Sequence, residues 1–214
     1  MQSARGVSGA ILIATIIVFL AVPSGANLVY SNFGSGIPGG GYGIGTYGPG
    51  NYAYASSFSV TGTESYTLDR IELAAALSFG LNQLNVSLMA DAAGLPGTVL
   101  ESFSFTDQMP PHGDPDTVVG VSATNPLLTA GSTYWLAAFA PNDTGAVWWC
   151  TSPEVYGSNA NSVDGGSWYA ETTCMPAFEI SGTPVATVVP VPGAMLLTSL
   201  GLGMIGWVHR RSAA

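Results

Sequence analysis

Lysine is missing altogether from the 214 residues, and charged side chains make up only 8% of them, against roughly a quarter in an ordinary soluble domain. Arginine is almost as scarce. Arg5, Arg210 and Arg211 sit at the two ends, and only Arg70 lies between them. All thirteen acids fall in the stretch from Glu64 to Glu179. A middle with thirteen acids and one base repels phosphate backbones, which argues against a nucleic-acid partner. Histidine is nearly absent too: His112 is the only one outside the extreme C-terminus. A hydrolytic triad needs a base beside its nucleophile, and a lone loop His in "PPHGDPD" does not supply that pattern. The acids scatter over turns and strand exteriors, so no glycosidase-like carboxylate pair is marked out. The expectation is a protein that is not an enzyme and has no cofactor.

Cysteine is limited to Cys150 and Cys174. There is no CxxC and no Cys/His spacing of a zinc site. Calcium is the one metal whose oxygen ligands are present, at Asp114 and Asp116 and at Asn142 and Asp143, but neither group follows the EF-hand spacing. The reading is therefore no resident metal. In an oxidising compartment the two cysteines pair, and closing a loop of this size stabilises by roughly 3 kcal/mol in the chain-entropy model.

Long apolar runs occur only at the ends, and they set the address. Arg5 precedes "AILIATIIVFLAV" (10–22) and then the small residues Ser24 and Ala26, the order of a secretory signal peptide cut after Ala26. At the other end, "GAMLLTSLGLGMIGWV" (193–208) carries no charge. It is slightly short for a helix spanning about 30 Å of hydrocarbon, with Trp207 placed for the interface. Arg210 and Arg211 resist crossing at roughly 3 kcal/mol each and so stop transfer on the cytoplasmic side. Gly201, Gly203 and Gly206 spell GxGxxG, but the chain ends too soon for a dinucleotide fold. They read as small residues that admit a neighbouring membrane helix.

The combination of Pro190 and Pro192, an apolar Gly/Leu run and Arg210-Arg211 resembles the PEP-CTERM sorting signal of Gram-negative bacteria. Val191 stands where that signal usually has Glu. The resemblance implies recognition by an exosortase-like membrane enzyme, brief anchoring in the inner membrane, and a final place at the cell surface or in the extracellular matrix, often alongside exopolysaccharide.

Between the ends lies a β pattern. Period-2 alternation puts Tyr52, Tyr54, Ser56, Phe58 and Val60 on one face, Ile71, Leu73, Ala75 and Leu77 on another, and Leu84, Val86, Leu88 and Ala90 on a third. In "STYWLAAFA", Tyr134, Leu136 and Ala138 face one way and Trp135 and Phe139 the other. Further short runs ("GTVLESFSF", "TVVGVSA", "AVWWCT", "GSWYAE", "PAFEIS") bring the expected count to about nine strands. Gly94-Leu95-Pro96-Gly97, Pro110-Pro111 and Gly165-Gly166 punctuate them. The predicted class is all-β, a single β-sandwich or jelly-roll-like domain over 27–180. A signal helix (1–26) precedes it. A Pro/Thr-rich spacer (181–192) and a C-terminal membrane helix (193–214) follow. The Gly/Tyr-rich stretch 34–50 is expected to form no regular element.

The segments "GLPGTVLESF" and "LTAGSTYWL", with "SFSVTGTESYTLDRIELAAAL", resemble secreted bacterial domains of the choice-of-anchor type, the R type in particular. That resemblance implies one β-sandwich and assigns no catalytic residue.

Around the cysteines, Trp148, Trp149, Tyr156, Trp168 and Tyr169 collect. Flat aromatic faces of this kind either fill a core or hold sugar rings. Alternation places Trp148 and Trp149 on opposite faces, so one at most is buried inside. The function read from all this is an exported structural or adhesive protein, with carbohydrate binding to exopolysaccharide, through Trp148, Trp149, Trp168 or Tyr169, as the alternative.

Overall fold

The computed structural model describes residues 26–34, 40–113, 116–141 and 143–185. Most of the signal segment, the spacer beyond Val185, the sorting run with Pro190, Pro192, Arg210 and Arg211, and the loop residues Asp114 and Asn142 lie outside them. Among the described residues the chain is all strand and turn, without a helix. In order, the strands are β1 (Asn27–Ser31), β2 (Gly41–Tyr47), β3 (Gly50–Ser59), β4 (Tyr66–Leu73), β5 (Ala75–Gly80), β6 (Gln83–Asp91) and β7 (Pro96–Thr106). They continue with β8 (Val118–Val121), β9 (Leu127–Leu128), β10 (Thr133–Phe139), β11 (Thr144–Trp149), β12 (Tyr156–Val163), β13 (Tyr169–Cys174) and β14 (Phe178–Pro184).

They form two antiparallel sheets. The smaller runs β1-β14-β4-β8, with β9 also on β4, and the larger runs β5-β11-β2-β3-β10-β6-β7. The hairpin β12–β13 joins the larger sheet along β3. The core lies where alternation predicted it. Phe58, Leu84, Val86, Leu88, Leu136, Ala146 and Trp148 from the larger sheet meet Leu68, Ile71, Leu73, Phe178 and Ile180 from the smaller. The run "IELAAALSF" resolves into a corner rather than a helix. β4 ends at Leu73, Ala74 turns, and β5 begins at Ala75. Ala74 N–H donates to the Ala177 carbonyl at 3.1 Å, and the Ala74 carbonyl accepts from Trp149 N–H at 2.9 Å. The chain thus carries one apolar face from the first sheet into the second.

Two sequence expectations are corrected. The stretch 34–50 contains a regular strand, β2, held between β11 and β3. Its glycines are what fit there: a Cβ on Gly41 would sit 2.7 Å from Val147 Cγ2, and one on Gly45 (φ +87°) only 2.1 Å from the Thr144 carbonyl oxygen. Tyr42 and Ile44 supply its apolar inner face. The expected spacer, in turn, starts as strand. β14 pairs with β4 through Pro184↔Tyr66, and Val185 N–H donates to the Ser65 carbonyl at 2.8 Å. Proline is tolerated at that strand end because no ladder donor is needed from it.

The strand directions define two poles. β3 has ten residues, and at about 3.3 Å per residue its ends lie about 30 Å apart. At its start, the turns after β2, β5, β10 and β12 gather: Leu81 N–H donates to the Asp143 carbonyl at 3.0 Å, and Asp164 N–H to the Asn51 carbonyl at 2.8 Å. At its far end, Val60 exchanges backbone hydrogen bonds with Gly131 and Ser132, and Ser65 is held against Ala130. Asn27 pairs with Gly182 beside that far pole. Both ends of the described domain therefore leave from the same side.

Candidate functional site

On the outer face of the larger sheet, away from the main core, a second apolar cluster is built from Ala55, Met89, Trp135, Ala137 and Ala160, with Leu95 and Trp168 packed on it. Trp135 is buried there, and its indole N–H donates to Asp91 Oδ1 at 2.8 Å. This satisfies the one polar atom of a ring that would otherwise be unpaired. The cluster is the floor beside which a groove opens at the first pole.

The groove has a volume of about 570 Å³ and is lined by Asn51, Ala53, Phe139, Ser162, Asp164 and Trp168, among others. A neighbouring hollow of about 340 Å³ shares Asn51 and Asp164 with it and adds Asp143. The larger volume is within the range of small-ligand sites. Trp168 is half-buried and Phe139 is 36% exposed, so both present ring surface. Asp164 begins the β12–β13 turn with φ +53°, a left-handed conformation that Asp and Asn tolerate better than most residues. Its Oδ1 accepts from Asn51 N–H at 2.8 Å, and Ser162 Oγ–H donates to the Gly166 carbonyl at 2.9 Å. These bonds fix the turn and hold the walls of the groove at a defined separation.

The aromatic residues Trp148, Trp149, Trp168 and Tyr169 singled out from sequence separate into four environments. Trp148 is fully buried in the main core, with its indole N–H on the Ala177 carbonyl at 3.0 Å. It cannot serve as a platform, and that expectation is corrected: its position on the inner face of β11 commits it to the core. Trp149 points the other way and meets His112 edge-on, with ring centroids 4.9 Å apart. Trp168, just before β13, lines the groove, while Tyr169, the first residue of β13, is 64% exposed and stands outside it. The expected bridge is present. Cys150 and Cys174 are joined, with Cα atoms 5.9 Å apart, and tie the end of β11 to the end of β13.

Beside the bridge lies a polar patch on the inner face. Tyr42 and Tyr54 pair at 4.4 Å between centroids. Tyr42 O–H donates to the Cys174 carbonyl at 2.8 Å and rests against the Thr173 hydroxyl. Burial first, then the Glu171 and Glu154 carboxylates, hold the Tyr42 phenol above its usual pKa against the opposing Thr173 hydrogen bond. Burial and Glu171 do the same to Tyr54. Ser56, Asn159 and Glu171 lie directly opposite one another on β3, β12 and β13. Ser56 Oγ, Asn159 Oδ1 and Glu171 Oε1 are buried without a hydrogen-bond partner. The Asn159 amide is oriented by its Nδ2, which donates to Thr173 and Cys174.

Among the described residues no three His, Cys, Asp or Glu side chains gather where a metal could be held. Asp143 lies in the turn before β11, and Asp116 lies just ahead of β8. Phe139, Asn51 and Asp164 were not singled out from sequence. The available signal was the Asp164-Gly165-Gly166 turn immediately before Trp168, which places an acid and an indole on one hairpin tip.

No protein-family model matches the chain, and no curated protein matches it. Among solved structures it is similar to the cysteine protease and lectin-like domains of Cwp84, a surface layer associated protein of Clostridium difficile, at 10% identity and a TM-score of 0.42. The likeness covers 63% of this chain and 33% of that one.

Proposed function

We propose that this protein is an exported, non-enzymatic adhesive module of a Gram-negative cell surface or extracellular matrix, displayed by a PEP-CTERM-like C-terminal signal. In this reading an exosortase-like membrane enzyme handles the segment bearing Pro190, Pro192, Arg210 and Arg211. The groove beside Trp168 then holds glycan of the surrounding exopolysaccharide. The observation that carries the reading is the polarity of the fold. Asn27 and Val185, the two ends of the described domain, lie on the pole opposite the groove. A domain held from that pole turns the groove outward, and an extended spacer of about 3 Å per residue adds further distance from the lipid.

The carbohydrate part rests on the groove itself. Aromatic rings bind the C–H faces of sugars by burying apolar area, and the polar groups beside them set orientation.

Two measurements test the two halves separately. Arg210→Gln with Arg211→Gln should shift the protein between membrane and surface fractions and change the mass of the mature C-terminus; unchanged fractionation and mass remove the sorting claim. Trp168→Ala should release the protein from isolated matrix while leaving its export intact; full retention removes the adhesive role of the groove.

A further inference from the structure

We infer that the groove selects an amine-bearing hexose polymer and rejects uronic-acid polymers. This inference rests on the glycan reading above and names the substrate class.

The argument is one of charge and geometry. Asp164 lines both hollows, Asp143 lines the adjoining one, and no Arg, Lys or His lines either among the described residues. At neutral pH a carboxylate only accepts hydrogen bonds, with two oxygens and about four lone-pair sites. Asp164 uses Oδ1 for Asn51 N–H, and its exposed carboxylate keeps further acceptor capacity at the edge of the groove. A sugar ring lying against Trp168 would carry its substituents past this edge. An ammonium there gains a charge-assisted hydrogen bond to the carboxylate and attraction to the indole face. A uronate in the same place meets a like charge with no base on the walls to offset it. The long-range field acts in the same direction, because the chain between its ends holds thirteen acids and one arginine. Such a field raises the local concentration of cationic ligands and lowers that of anionic ones. The selectivity is therefore built from what the groove lacks as much as from what it contains.

The test uses the full-length protein and three soluble probes of equal length: β-1,4-linked glucosamine oligomers with free amines, their N-acetylated counterparts, and galacturonate oligomers. The amine oligomer should bind at least about tenfold tighter than the N-acetylated one at low salt, a gap of about 1.4 kcal/mol. The gap should close as sodium chloride rises, since exposed charge pairs are screened. Galacturonate should bind most weakly. Asp164→Asn keeps the acceptor for Asn51 N–H and the left-handed turn. It should abolish the preference for the amine while leaving the N-acetylated oligomer bound. Trp168→Ala should abolish binding of all probes, with near-ultraviolet circular dichroism checking that the fold persists. Equal binding of amine and N-acetylated oligomers, or tighter binding of galacturonate, overturns the inference while leaving a glycan site standing. Binding of none of the probes overturns the glycan reading itself and this inference with it.

Discussion

Trp148 and Trp168 stand close to the same two cysteines in the sequence, but they occupy opposite faces of one sheet. On the inner face, in the main core, Trp148 is fully enclosed, its indole N–H is paired with a backbone carbonyl, and Phe178 tilts against it at 5.9 Å. The Cys150–Cys174 bond and the corner at Ala74 close the surrounding chain. On the outer face, Trp168 packs on a small cluster of alanines, Met89 and Trp135, and keeps surface open to the groove. The first region is dense and cross-linked, and every polar atom of its central ring is satisfied. The second is held by turn hydrogen bonds around Asp164 and by one hairpin. Stability should accordingly concentrate in the core between the sheets and ligand contact on the outer face.

Substitutions that respect this division should differ sharply. Trp148→Ala should cost about 4 kcal/mol, the usual range for removing a buried aromatic, measured by denaturant unfolding. Trp168→Ala should cost far less. If the two variants unfold at the same denaturant concentration, the proposed division of labour is wrong. Cys150→Ser with Cys174→Ser should lower stability by about 3 kcal/mol, while glycan affinity at the groove stays within about twofold. A large loss of affinity at unchanged fold would mean that the bridge and the groove are coupled.

Glu101, on β7, provides a third region for comparison, where it reaches the turn after β8. Its carboxylate is buried, accepts from Ser122 Oγ–H at 2.5 Å, from Ala123 N–H at 2.6 Å and from Thr124 N–H at 3.1 Å. Burial pushes its pKa up, but these hydrogen bonds outweigh it and hold the group below the ordinary carboxylate value of 4.5. The folded state thus binds the proton less readily than the unfolded chain. The stabilisation is complete above the unfolded value and drains away as pH falls through the depressed folded one. Glu101→Gln should cost roughly 1–3 kcal/mol at neutral pH and flatten the loss of stability below about pH 4.5. An unaltered acid limb would show that Glu101 does not carry it. The smallest effect is expected at Ser56, whose Oγ is buried and unpaired. Ser56→Ala should be neutral or stabilising by up to about 1 kcal/mol, since it removes a desolvated hydroxyl without breaking a bond. A loss of more than that would reveal a partner for the hydroxyl.

Much of the core was legible from alternation alone. Leu84, Val86 and Leu88 face inward, Tyr134, Leu136 and Ala138 do likewise, and Trp135 faces out, as period 2 requires. Trp148 and Trp149 separate for the same reason. The strand β2 was not legible, because propensity scores glycine against strand. Here the neighbour β11 comes so close at Gly41 and Gly45 that only glycine admits it. The groove was half legible. Trp168 could be named, but Phe139 and Asn51 come from distant strands and meet it only after the sheet has formed.

Composition and periodicity were enough to establish an all-β middle, a pairing of two cysteines and a strongly acidic surface. These are local or additive properties, written in each residue and its near neighbours. Which tryptophan is sealed and which is left open, and that both ends of the domain depart from the pole away from the groove, depended on long-range strand pairing. Side-chain alternation specifies a face, but only the register between strands remote in the chain specifies what that face meets.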